Sequence, residues 1–289
     1  MLAVCEMSTP PIRLSRPGAD PFTQRSPRVV AARRLLRRRH RDAEGLFLAE
    51  GPQAVREAVD SGSVIELFGT IEAYGRHRDL VNQAHDLGAQ VWPVTEAALA
   101  ALAETVTPQG VVAVCRQLHR DHVAAVLAPQ TRLVVVLAGI ADPGNAGTIL
   151  RTADAAGADI IVFPDGTVDP YNGKCVRASA GSLFHLDLVR GGDPAQAVRA
   201  LTSAGLAVLA ADAHGADDLD TCIDAGALAG PTAWLFGSEA HGLPSELAEL
   251  ARARVRVPIH GRAESLNLAA AAAVCLYASA REQHRGESR

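Results

Sequence analysis

Cysteine is sparse and unpaired in this sequence. Cys5, Cys115, Cys175, Cys222 and Cys275 are scattered, odd in number and form no C-x-x-C motif. That pattern excludes a disulfide framework and a cysteine-built zinc site, so no metal is expected. It fits a reducing compartment, and the cytoplasm is the expected location. No apolar run reaches the length of a bilayer span, and the opening "MLAVCEMSTPPIRLSRPGAD" lacks the apolar core of a signal peptide, so no membrane partner is expected. The G-x-G-x-x-G and Walker phosphate loops are missing too, which argues against a dinucleotide-dependent oxidoreductase. Lysine is almost absent: 27 of the 28 basic residues are arginine. With abundant alanine this reflects a GC-rich coding bias, so the preference for Arg is not in itself a signal.

What is present is globular. The 289 residues are 48% hydrophobic and 21% charged, enough chain for two ordinary domains. The net charge of −4 conceals an asymmetry, because residues 1–41 carry ten Arg against Glu6 and Asp20. A basic arm on an acidic body suggests a polyanionic partner.

Residues 1–25 are Pro-rich and aperiodic and read as a flexible leader. Ser26-Pro27 then reads as an N-cap with Pro at the first helical position. The helix over 28–41 that follows places Val29, Ala32 and Leu36 on one stripe. Arg33, Arg34, Arg37, Arg38 and Arg41 cover much of the rest, as a solvated face or as a surface for nucleic-acid phosphate. Short strands and helices alternate from there to about residue 117, a first α/β unit. Residues 118–130 read as a linker, and a second unit spans 131–285. Strands are expected at 132–138, 159–163, 183–188, 206–211, 232–237 and 254–258. Helices are expected at 147–156, 172–179, 194–204, 244–251 and 266–283. Continuous apolar strands separated by helices predict a parallel sheet covered on both faces. Ligands of such sheets sit beyond the carboxyl ends of the strands.

Three strand ends carry unusual residues. "ADPGNAGTILR" follows the first strand; its glycines permit a tight turn and close backbone approach, and Asn145 and Arg151 are expected near one rim. Local roles would also explain them, Asn145 as a helix cap and Arg151 as a surface charge. "GSEAHGLP" follows "TAWLF" and places Glu239 in a turn, where a helix-start carboxylate is the plain alternative. "IHGRAESLNLAAAAAV" follows "RVRVP". Ser265 reads as the N-cap of a long apolar helix, and Asn267 is a polar amide at its mouth that needs a partner.

Taken in order, N-x-G-x-x-x-R, F-G-S-E-x-x-G-L-P and V-P-I-x-x-x-x-E-S-L-N-L resemble the SpoU (TrmH-like) family of RNA 2′-O-ribose methyltransferases. The resemblance covers residues 132–283 and includes "RASAGSLFHL" at 177–186. "FLAEGPQAVREAVDSG" is similar to the L30e-like RNA substrate-binding domain of two-domain members, which include 23S rRNA enzymes of the thiostrepton and avilamycin resistance type.

The resemblance implies a trefoil knot threaded by the terminal helix, a homodimer whose site is completed near the subunit boundary, and S-adenosylmethionine as cofactor. By position, the cofactor loops are Ala210–Ala211, Gly237, Val257–Ile259 and Leu266–Leu268. The resemblance assigns Arg151, Asn145, Glu239, Ser265 and Asn267 to catalysis of methyl transfer to a ribose 2′-hydroxyl, and structured RNA, above all 23S rRNA, as substrate. A tRNA 2′-O-methyltransferase and a non-catalytic RNA-binding protein on the same fold remain alternatives.

Overall fold

The computed structural model describes residues 11–285; the first ten residues of the expected leader, Cys5 among them, lie outside the described residues. The chain divides into two units between Arg116 and Gln117.

The first unit runs α1 (Pro27–Arg34), α2 (Arg38–Glu44), β1 (Leu46–Glu50), α3 (Pro52–Asp60), β2 (Val64–Gly69), α4 (Ile71–Arg76), α5 (Arg78–Asp86), β3 (Gln90–Pro93), α6 (Glu96–Leu102) and β4 (Val111–Arg116). Its four-stranded sheet has the order β1-β4-β2-β3, with β4 antiparallel to both neighbours and β3 parallel to β2. Two expectations change here. The leader is not free from residue 11 onward, because the edge strand β3 offers unpaired backbone. Ser15 N donates to Val91 O at 3.1 Å, Phe22 N donates to Pro93 O at 2.8 Å, and the Phe22 ring lies 5.5 Å from Trp92. The single helix over 28–41 is two helices broken at Leu35–Arg37. Leu35 points into the core with Val29 and Ala32, and Arg41 turns under the break.

The second unit holds β5 (Leu133–Leu137), α7 (Pro143–Ala155), β6 (Ile160–Phe163), α8 (Gly173–Ala178), β7 (Asp187–Arg190), α9 (Pro194–Ser203) and β8 (Ala207–Ala211). It continues with β9 (Asp217–Asp218), α10 (Leu219–Asp224), β10 (Thr232–Phe236), α11 (Ser245–Ala248), β11 (Ala253–Arg256) and α12 (Leu268–Arg285). The sheet order is β7-β6-β5-β10-β8-β11-β9, and every pairing is parallel. Every residue of β5, β6 and β10 is buried, as strands covered on both faces must be.

Residues 118–130 are packed rather than free: Arg120 bridges Val189 at the β7 edge, and Val123 joins the core of this unit. The strand expected at 183–188 starts only at Asp187. Ala180 and Gly181 hold positive φ (51° and 103°), and Ser182–Phe184 form a 3-10 turn that delays it. β9 and α10 have no counterpart in the sequence reading.

Candidate functional site

The chain steps outward through β5, β6 and β7, then returns to the other side, and β10 later slots between β5 and β8. The reversal lies between β5 and β10, and a crevice at such a reversal is where open parallel sheets bind ligands. The register Leu137↔Phe236 ends the two strands side by side, and Ala138 N donates to Phe236 O at 2.8 Å. The loops after β5 and β10 therefore leave the sheet together.

After β5, Asp142 caps α7: its Oδ2 accepts from Asn145 N at 3.1 Å, with Pro143 at the first helical position. The helix thus begins at Pro143 and not at 147, and Asn145 lies inside its first turn. Gly147 is fixed by packing, because a Cβ there would lie 2.4 Å from Cys175 O and 2.7 Å from Ala178 Cβ on α8.

After β10, Ser238 and Gly242 exchange backbone hydrogen bonds of 3.1 and 2.8 Å, closing a tight loop. Gly237 is required there, since a Cβ would stand 2.4 Å from Gly242 C. Glu239 sits at the loop's tip and is exposed.

After β11 the chain runs irregularly to α12. Asn267, not Ser265, caps that helix: its Oδ1 accepts from Ala269 N at 2.9 Å. Ser265 is exposed, two residues too early to reach the first free amides.

The three loops meet through Asn145. Its Nδ2 donates to Glu239 Oε1 at 3.0 Å, and its Oδ1 accepts from Asn267 Nδ2 at 3.4 Å. Glu239 Oε2 also accepts from Ala141 N at 3.5 Å. Residues 94 and 122 positions away from Asn145 are drawn to one amide.

Arg151 does not join them. With α7 beginning at Pro143, it stands six residues beyond Asn145, about two-thirds of a turn around the helix and roughly 9 Å along it. It is exposed and makes no hydrogen bond or ion pair among the described residues. The expectation that Arg151 shares a rim with Glu239 and Asn267 within one chain is corrected by that geometry.

Of the expected cofactor positions, Ala210 and Gly237 are buried and Ala211, Val257 and Leu268 are half-buried, whereas Ile259 and Leu266 are 37% and 39% exposed. Exposed apolar side chains beside a strand-end loop suit a flat apolar ligand face. In the first unit Arg33, Arg34, Arg37 and Arg38 are exposed. Arg41 is not available to RNA: it is 4% exposed, and its Nη1 donates to Leu35 O and Leu36 O at 2.9 and 3.0 Å, supplying donors where the broken helix leaves its carbonyls.

Two residues near the site escaped the sequence reading. Asp142 was legible as an Asp before Pro-Gly at a helix start. Lys174, whose Nζ lies 2.5 Å from Asp142 Oδ1, could have been noticed as the only lysine. Lys174 holds the Asp142 carboxyl below the usual carboxylate range, helped by the backbone amides of Asn145 and Gly144. Among the described residues no cluster of three or more His, Cys, Asp or Glu could hold a metal ion, and no helix is long and apolar enough to cross a membrane.

Residues 132–277 match the SpoU rRNA Methylase family, and residues 26–113 match the MRM3-like substrate binding domain. The chain is 33% identical over 245 residues to the 23S rRNA (guanosine(2553)-2′-O)-methyltransferase of Bacillus subtilis, covering 85% of this chain and 92% of that one. It is 30% identical to the 23S rRNA (uridine(2479)-2′-O)-methyltransferase of Streptomyces viridochromogenes, over 94% and 96% of the two chains. The AdoMet-bound rRNA methyltransferase of Sinorhizobium meliloti superimposes with a TM-score of 0.78 at 34% identity, covering 89% of this chain and 95% of that one.

Proposed function

The chain belongs to the SpoU rRNA methylase family and is an S-adenosylmethionine-dependent RNA 2′-O-methyltransferase, and from that membership we propose that its substrate is 23S rRNA and its working form a homodimer in the cytoplasm. The observation that carries the site assignment is the meeting of three strand-end loops at Asn145.

S-adenosylmethionine supplies an electrophilic methyl group when bound. The residues here suit it: Gly237 brings bare backbone to the rim, and Ile259 and Leu266 offer apolar faces that water otherwise covers. The chain's own task is to hold the ribose in line and to stabilise the oxygen as its proton leaves. A guanidinium is never a base in water, so Arg151 serves by its fixed positive charge against the developing alkoxide. Glu239 already accepts from Asn145 and is a positioning group: it fixes which way that amide faces. The same holds for Asn267. Ser265 shapes the loop before α12. The knot threaded by α12 is part of this reading, and so is a first unit that grips RNA phosphates through Arg33, Arg34, Arg37 and Arg38.

Exposure of Arg151 is what a shared site requires. Thr148, Arg151 and Ala155 lie exposed on α7, which packs against α12, where Val274 and Tyr277 are 42% and 53% exposed. Apolar side chains on that exposed face favour a second copy, whose pocket would receive Arg151.

Transfer of a labelled methyl group to protein-free 23S rRNA, compared with bulk tRNA, tests the substrate, and mapping of the 2′-O-methyl position identifies the nucleotide. Labelling of tRNA alone would refute the rRNA assignment.

A further inference from the structure

We propose that Lys174 is a substrate-contact residue of the methyltransferase site, its ammonium taking a phosphodiester oxygen of the RNA at the rim where the three loops meet on Asn145. The inference rests on the RNA methyltransferase reading and adds to it a residue outside the three strand-end motifs.

The placement is fixed from two sides. α8 is locked onto the first two turns of α7, because Gly147 leaves no space for even a methyl group against Cys175 O and Ala178 Cβ. From α8 the Lys174 side chain reaches across the backbone of Gly144; a Cβ on Gly144 would lie 2.9 Å from Lys174 Cε and 3.2 Å from Nζ. Its Nζ then meets Asp142 Oδ1 at 2.5 Å, while the other oxygen of that carboxylate holds Asn145 N at 3.1 Å. Only one carboxylate separates the ammonium from the residue on which the three loops converge.

Charge gives the pair its purpose. The rim that must admit a phosphodiester chain carries two carboxylates, Asp142 and Glu239, and Arg151 stands elsewhere on its helix. Lys174 offsets one of those two carboxylates at the rim itself. An ammonium has three donors; Asp142 uses one, which leaves two for phosphate oxygens. The Lys174 side chain is 58% exposed and that of Asp142 42%, so the ammonium is open to a ligand arriving from solvent. An exposed ion pair of this kind adds little to folding, which leaves a stability role as a poor explanation for the only lysine in a chain that otherwise uses arginine. Asp142 carries its charge through the neutral range, so the ammonium stays aimed at the rim.

A single lysine makes the test direct. Reductive methylation with formaldehyde and cyanoborohydride can modify only Lys174 and the chain's terminal amine, and mass spectrometry separates the two. Lys174 should react readily in the free full-length protein and with S-adenosylmethionine present, and be protected at least fivefold by protein-free 23S rRNA. Lys174→Met should raise the KM for rRNA about tenfold, leave kcat within about twofold, and lower the slope of log affinity against log salt by about one, the share of one phosphate contact. Lys174→Arg should recover most of that loss, and both variants should bind S-adenosylmethionine as the parent does. Methyl transfer to 23S rRNA by the parent chain checks the underlying reading separately. If the parent methylates rRNA while Lys174 is labelled equally with and without it, the inference fails and the reading stands. A Lys174→Met variant with unchanged KM, or one that also loses cofactor affinity, would equally overturn it.

Discussion

At the scale of single residues, the site separates into groups that hold and one group that acts. Asn145 is the hub, and both of its polar atoms are engaged within the chain. Replacing it with Ala should remove the amide that joins Glu239 to Asn267, leaving the 3.5 Å contact of Glu239 Oε2 with Ala141 N between the first two loops. It should lower kcat by about 10²-fold or more, the loss typical when one oriented donor is removed from a reaction centre. Arg151→Ala should abolish methyl transfer with cofactor affinity unchanged in calorimetry. Arg151→Lys should not restore it, since a point-like ammonium cannot reproduce the planar fork of guanidinium. Full activity in either Arg151 variant would remove that residue from the mechanism. Asn145 and Arg151 were legible in the sequence as odd residues after a buried strand. Their separation on α7 was not, because it depends on where the helix starts. Asp142 moves that start four residues upstream of the expected one, and a cap is recognised only when its side chain is seen to reach an amide.

At the scale of elements, the α7–α8 pair is the rigid frame beneath the site. Gly147→Ala would force a methyl group into 2.4 Å contact with a carbonyl, so α8 must shift and carry Lys174 away from Asp142. A drop in Tm of several degrees together with loss of rRNA methylation is expected; a variant of normal stability would show that the pair is looser than its geometry states. The cap at Asp142 should be pH-sensitive in a defined sense. Lys174, and with it the amides of Asn145 and Gly144, lowers this carboxyl in the folded chain. Its stabilising contribution is therefore complete above the ordinary carboxylate range and is lost as pH falls through the lowered folded value. Asp142→Ala should cost about 1 kcal/mol near neutrality by denaturant titration, and the difference from the parent should shrink in acid. A difference that grew in acid would contradict that sign.

The arginine helices teach the same lesson differently. Periodicity correctly placed Val29 and Ala32 inward, but a straight helix could not bury Leu35 and fold Arg41 beneath it as well. Removing residues 1–41 would therefore tear out core, since fully burying a side chain such as Val29 or Leu35 contributes about 1.5–3 kcal/mol. Charge substitution is the cleaner probe of phosphate contact: Arg33, Arg34, Arg37 and Arg38 changed together to Gln should weaken rRNA binding and flatten its salt dependence, while the thermal transition stays in place. An unchanged salt slope would exclude these arginines from the interface.

At the scale of the whole molecule, the second unit is closed by its last helix. Trp234, wholly buried in β10, donates its indole N–H to Ser279 Oγ on α12 at 2.8 Å, and Gln283 Nε2 donates to Arg132 O and Gly230 O at 3.2 and 3.0 Å. Ser279→Ala would strand a buried donor and should destabilise the protein by about 1–3 kcal/mol in chemical denaturation; a neutral result would mean that the Trp234–Ser279 bond does not help to hold α12. A site shared between two copies makes a further prediction. Arg151→Ala and Glu239→Ala are each expected to be inactive alone. Reconstituted together from unfolded mixtures, they should recover activity, because a mixed dimer keeps one intact pairing of Arg151 with Glu239. Strictly additive inactivity would put the whole site within a single chain.

The sequence by itself determined the local chemistry: which strands are apolar throughout, where glycine must replace a side chain, and which polar residues follow each strand. Those features follow from burial and backbone sterics acting over a few residues, and together they made the family legible. Only the tertiary structure decided which of those residues meet. The late insertion of β10 beside β5 draws Glu239 to Asn145, the return of α12 onto α7 brings Asn267 to the same amide, and the turn of α7 sends Arg151 away. Strand order and helix phase arise from packing between distant segments, and a linear pattern carries no record of either.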